Sequence, residues 1–176
     1  MGNLCTLYDA LAGLLAYPDA GFHRRLTACR QAVADRHPEA AELLDRFAGC
    51  IAPLSAEELE ELYTQTFDLN PVCSLEVGWH LFGENYSRGE FLVTMRQELR
   101  RSALPESTEL PDHLTHVVAA VARMEPRQAD RFTVTFLLPA LQKMLKGLAG
   151  KGSPFENVLE AIRCVLLSPY GAVLQG

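Results

Sequence analysis

Prolines cut this chain into segments, and inside nearly every segment the apolar residues return at three- and four-residue intervals. That interval is the period of an amphipathic α-helix, whereas a half-buried strand alternates with period two. No stretch alternates convincingly, so the spacing predicts an all-α chain of about eight or nine helices in one bundle-like domain over residues 1–176. The first pattern covers Leu4 to Tyr17, with Leu4, Leu7, Tyr8, Leu11, Leu14 and Leu15 on one face, and Pro18 ends it. The second covers Asp19 to His37, with Phe22, Leu26, Cys29 and Val33 in one stripe. A third follows Pro38, with Leu43, Leu44, Phe47, Cys50 and Ile51 inward, and Pro53 closes it.

Helix ends are written in the capping chemistry. Ser55 followed by Glu58 has the spacing of a capping box, in which hydroxyl and carboxylate satisfy each other's orphan amides. Leu59, Leu62, Tyr63 and Phe67 then form an apolar face, which stops near Asp68, before the turn signal Asn70-Pro71. Residues Val72 to Asn85 resist the pattern and read as a loop with a short helix. Further helices are expected over Ser87 to Ala103, from Pro111 through Val121, over Ala129 to Leu148 with a bend at Pro139, and over Pro154 to Leu167. Ser153 with Glu156 has capping-box spacing again.

The net charge of −6 disfavours a generic phosphate-backbone binder, which usually carries a basic face. Cys5, Cys29, Cys50, Cys73 and Cys164 include no C-x-x-C pair, and Cys29 and Cys50 fall where buried, reduced thiols are expected. A reducing, cytoplasmic compartment fits that usage, and no apolar run is long enough for a membrane span.

Few residues point to catalysis. GLAGKGSPFEN has glycines and a lysine, but it lacks the P-loop spacing and a preceding strand, so it reads as a helix stop. No nucleophile elbow is present. His113 and His116 are three apart, and with carboxylates they suggest a helical metal site. The Glu-x-x-His repeat of di-iron bundles is absent, however, since Glu76–His80 and Glu109–His113 are both four apart. The most distinctive segment is ELPDHL, Glu109 to Leu114. One reading is a helix start, with Pro111 at the first helical position and Asp112 offsetting the dipole. The other is a donor–acceptor pair, Asp112 beside His113, offered to a ligand.

Two stretches resemble the TorD/DmsD/NarJ family of molybdoenzyme maturation chaperones. LYTQTFDLNP, with Tyr63 and Phe67, followed by the Trp79 to Tyr86 region, looks like the family's aromatic segment. ELPDHL looks like its Glu-Pro-Asp-His motif with one inserted leucine. The loop VCSLEVGWHLFGENYSRGEF differs from the proline- and tyrosine-rich loop of several relatives.

The resemblance implies a cytoplasmic, non-enzymatic chaperone without a cofactor, monomeric or homodimeric, that binds neither nucleic acid nor, stably, a membrane. Its partner would be the N-terminal segment, a twin-arginine signal or its remnant, of a molybdopterin oxidoreductase catalytic subunit. Tyr63, Phe67, Trp79 and Phe82 would floor a groove for that peptide, with Tyr86, Glu109, Asp112 and His113 beside it. Glu76, Glu84, Glu109 and Asp112 would meet its arginines. A metal enzyme built on His113 and His116, or a helical adaptor for an unrelated partner, are the alternatives.

Overall fold

The computed structural model describes residues 2–170. Among them are α1 (Gly2–Gly13), α2 (Phe22–Val33), α3 (Pro38–Ile51), α4 (Ala56–Tyr63), α5 (Val77–Phe82), α6 (Tyr86–Arg101), α7 (Leu114–Val121), α8 (Pro126–Phe132), α9 (Leu138–Leu148) and α10 (Phe155–Leu167). A π turn, Thr64–Asp68, prolongs α4, and a second, Thr133–Leu137, fuses α8 to α9 in one rod. Counting that rod once leaves nine helical runs and no strand among the described residues, as the periodicity predicts.

The capping box forms as written: Glu58 N–H donates to Ser55 Oγ (3.1 Å), and Ser55 N–H donates to Glu58 Oε2 (2.7 Å). Other boundaries move. α1 stops at Gly13 rather than Tyr17, because Leu14 and Leu15 donate three residues back, to Leu11 and Ala12, in a tightened turn. The second helix is shorter than Asp19 to His37, and the rod begins at Pro126, not Ala129. Pro139 lacks the amide that a regular turn needs, and the π turn just before it absorbs the break: Leu138 N–H donates to Thr133 O, five residues back. The second expected capping box does not form. Ser153 Oγ pairs with Thr66 Oγ1 (2.9 Å), and Pro154 occupies the N-cap of α10.

One contiguous core runs through the molecule. α10 packs along α3, and rings fill the joint: Phe47 and Phe67 lie 5.0 and 5.1 Å from Phe155 between centroids. Tyr63 lies 5.7 Å from Phe155, and Phe22 lies 6.1 Å from Phe47. Burying each such ring stabilises the fold by about 2 kcal/mol. The Tyr63 hydroxyl donates to Leu15 O (2.7 Å), so α4 is tied to the end of α1 as well. A second ring cluster joins α5, α6 and the rod through Phe82, Phe91, Phe132 and Phe136.

Cys29 is buried as expected, but Cys50 is exposed. The inward stripe of α3 is Ala40, Leu44, Phe47 and Ile51, and Cys50 sits ~100° round the helix from Ile51. Leu4 likewise lies 49% exposed, one turn before the buried stripe that Leu7 begins.

α9 lies tight against the 3-10 turn Pro71–Cys73. A Cβ on Gly147 would meet Val72 O at 2.5 Å, a backbone atom that cannot step aside. Gly147→Ala is therefore expected to destabilise the protein by about 1–3 kcal/mol in a denaturation curve; unchanged stability would show that this contact is loose.

A candidate functional site around a buried clasp

The irregular stretch before α5 is held by the segment before α7. Leu114 N–H donates to Leu75 O (2.8 Å) and Val77 N–H to Asp112 O (2.9 Å), which makes an isolated antiparallel bridge between Glu76 and His113. Between these two bonds, Asp112 turns its carboxylate onto the start of α5. Its Oδ2 accepts from Gly78 N–H (3.0 Å) and lies 3.6 Å from Arg88 Nε, while Oδ1 has no protein partner. A Cβ at residue 78 would stand 2.7 Å from Asp112 Oδ2 and 3.0 Å from Phe91, so the clasp requires glycine there. Arg88 also lies over the Trp79 ring, 5.7 Å from its centroid. The Trp79 indole donates to Pro71 O (3.0 Å), and His80 Nε2 pairs with Ser74 O (2.6 Å).

This corrects the helix-start reading of ELPDHL. α7 begins at Leu114, with His113 as N-cap; Pro111 and Asp112 precede it. Asp112 is fully buried and accepts from Gly78 in the first turn of α5 rather than serving the start of α7. His113 Nδ1 accepts from Thr115 N–H (3.4 Å) and pairs with Thr115 Oγ1 (2.8 Å). Burial drives its pKa down to about 4, so the ring is neutral and carries its proton on Nε2, which points toward Glu109 Oε2 at 3.9 Å. A neutral imidazole has no quarrel with a helix N-terminus. Burial pushes the Asp112 carboxyl up, against the pull of Arg88 and the Gly78 amide. Burial also raises Asp68, with help from Glu109 and Glu76, so three carboxylates share this corner.

The expected groove floor does not form as drawn. Tyr63 and Phe67 are 3% and 2% exposed, because Phe155 draws both rings into the core. Phe82 is half-buried against Phe91. Trp79 is half-buried, Tyr86 is 82% exposed, and Glu109 and Glu84 face solvent. Asp112, with no surface, does not meet a client arginine directly. Sequence reasoning missed Arg88 and Gly78, which nothing local marks, and the exposed Leu69 and Val72 beside Trp79's anchor at Pro71. His116 is occupied by Leu110 O and Ser107 Oγ, and no group of three His, Cys, Asp or Glu able to hold a metal exists among the described residues.

An all-α fold in nine runs, with ELPDHL clasping the segment that follows the aromatic motif, defines a protein of the TorD/DmsD/NarJ class. The chain belongs to the nitrate reductase delta subunit family, whose profile matches residues 30–149. It is 33% identical over 165 residues to a probable nitrate reductase molybdenum cofactor assembly chaperone, NarJ, of Bacillus subtilis (strain 168), covering 90% of this chain and 87% of that protein. It is also 24% identical over 157 residues to the nitrate reductase-like protein NarX of Mycobacterium tuberculosis, where the match covers 89% of this chain and 24% of that longer protein. The family resemblance carried by the two motifs is thereby confirmed.

His113 sets a pH dependence. Below about pH 6.5 the unfolded histidine takes up a proton that the native ring refuses until about 4. Stability is therefore lost as pH falls through that window, by about 3 kcal/mol in total. The raised Asp112 acts oppositely at the acid end, since the native carboxyl takes its proton first. His113→Gln should flatten the acid limb of a plot of stability against pH; an unchanged slope would show that the ring titrates freely.

Proposed function

We propose that this protein is a maturation chaperone for a nitrate reductase, acting in the cytoplasm without a catalytic step. It binds the N-terminal segment of the molybdopterin-containing catalytic subunit, a twin-arginine signal or its remnant, and holds that subunit until its cofactor is inserted. The observation that carries this reading is the 33% identity, over nearly the whole of both chains, to a protein named as such an assembly chaperone. No helix among the described residues is long and apolar enough to cross a membrane, which accords with a chaperone that meets its client before export or docking.

The surface chemistry supports a peptide ligand. Trp79, Tyr86, Leu69 and Val72 offer apolar area, and Glu76, Glu84 and Glu109 offer carboxylates to client arginines. Tyr63 and Phe67 pack into the core against Phe155 and Phe82 packs against Phe91, while Asp112 and His113 join the two segments that carry Glu76 and Glu109. The formal charge of −6 steers a basic peptide inward.

Expressed in a bacterium that lacks its own nitrate reductase chaperone but makes the reductase, the protein should restore nitrate reduction. The pair Trp79→Ala and Tyr86→Ala should lower the restored activity by about tenfold, with melting behaviour close to that of the original chain. Full restoration by the double variant would remove this surface from client binding. No restoration by the original chain, even with its own client subunit supplied, would overturn the chaperone reading.

A further inference from the structure

α1 and α7 lie antiparallel, and two cavities follow one another along their seam. The first, of about 450 Å3, opens among Leu4, Tyr8, Val121, Met124 and Leu166 and is mostly apolar. The second, of about 380 Å3, lies against the small residues Gly13, Ala16 and Ala119, with Glu109 and His113 in its wall. A bidentate ion pair stands between them. Arg123, from the first cavity, donates through Nη1 to Asp9 Oδ1 (2.8 Å) and through Nη2 to Asp9 Oδ2 (2.7 Å), and Asp9 lines the second.

We propose that this seam is the berth of a basic amphipathic helix from the client, and that the Arg123–Asp9 pair is a latch across it, opened when a client cation takes Arg123's place on Asp9. The proposal rests on the chaperone reading above and adds to it a second contact for the same client segment, which shares Glu109 with the Trp79–Tyr86 surface, and a gate.

Size, charge and hydrogen bonding agree on that occupant. From Leu4 to the end of α1 at Gly13 the seam runs ~14 Å, about two and a half helical turns. Apolar walls at one end and small side chains at the other let a helix settle its apolar face. Carboxylates of Asp9, Glu109, Glu125 and Asp130 line the two cavities; among the described residues Arg123 is the only lysine or arginine that does so, and Asp9 already neutralises it. A client cation thus finds a carboxylate whose present partner is partly solvated and exchangeable, the two side chains being 25% and 43% exposed. His113 adds a fixed donor. Its side chain is 5% exposed, and Nε2 has no hydrogen-bond partner among the described residues, Glu109 Oε2 standing 3.9 Å away. Together Nε2–H and the Glu109 carboxylate offer one donor and one acceptor at the end of the berth.

The test is calorimetry with a synthetic peptide of the N-terminal segment of a nitrate reductase catalytic subunit, and with the same peptide after replacing its Lys and Arg by Gln. Arg123→Gln frees Asp9 and should tighten the basic peptide about threefold. Asp9→Asn should weaken the basic peptide by a similar factor and leave the neutral one unchanged. Leu4→Gln, at a position exposed enough to spare the fold, should weaken both peptides. Wild-type binding that none of the three variants alters overturns the berth and latch while the chaperone reading stands. Binding of neither peptide by the wild-type chain overturns both.

Discussion

A carboxylate with no exposed surface is costly unless its environment answers it, and Asp112 is such a group. The Gly78 amide and the Arg88 guanidinium answer one of its oxygens, and in doing so they join three separate stretches of chain. The turn before α5, the start of α6 and the segment before α7 could each pack in several ways alone. The buried charge selects the one arrangement in which it is partnered. Gly78 is small for that reason, α5 starts where it does for that reason, and Trp79 is thereby set under Arg88.

The two ring clusters divide the remaining labour. Phe155, Phe47, Phe67 and Tyr63 lock α10 to α3 and α4, while Phe91, Phe132 and Phe136 lock α6 to the rod. The clasp lies on the α6 side, since a Cβ on Gly78 would touch Phe91. Aromatic side chains that belong to one motif in the sequence therefore do different things. Tyr63 and Phe67 hold the core, whereas Trp79 and Tyr86 remain at the surface where a client peptide is proposed to lie.

Most of the fold was legible because helices are local. Periodicity marked the runs, and the Ser55–Glu58 box was readable since both partners lie within one turn. What local rules missed has its partner far away. Pro111 and Asp112 look like a helix start, but Asp112 answers an amide 34 residues earlier, and the helix begins only after His113. Ser153 looks like a cap, but it pairs with Thr66, 87 residues away. The site fared similarly: ELPDHL was found as a motif, while the burial of Tyr63 and Phe67 depended on Phe155, near the other end of the chain.

The π turn Thr133–Leu137 carries a consequence for how this rod tolerates change in length. A π turn holds one residue more than the α turn it replaces. Removing a residue there would take away the slack that accommodates Pro139, and every side chain beyond it would swing by ~100°. Ala140, Leu141, Met144 and Leu148 would leave the core, and Gly147 would leave Val72. The bulge acts as a phase adjuster between two apolar stripes that are each regular and mutually out of step. In this rod the number of residues between Phe132 and Leu141 is thus under tighter constraint than the identity of an exposed residue such as Val134.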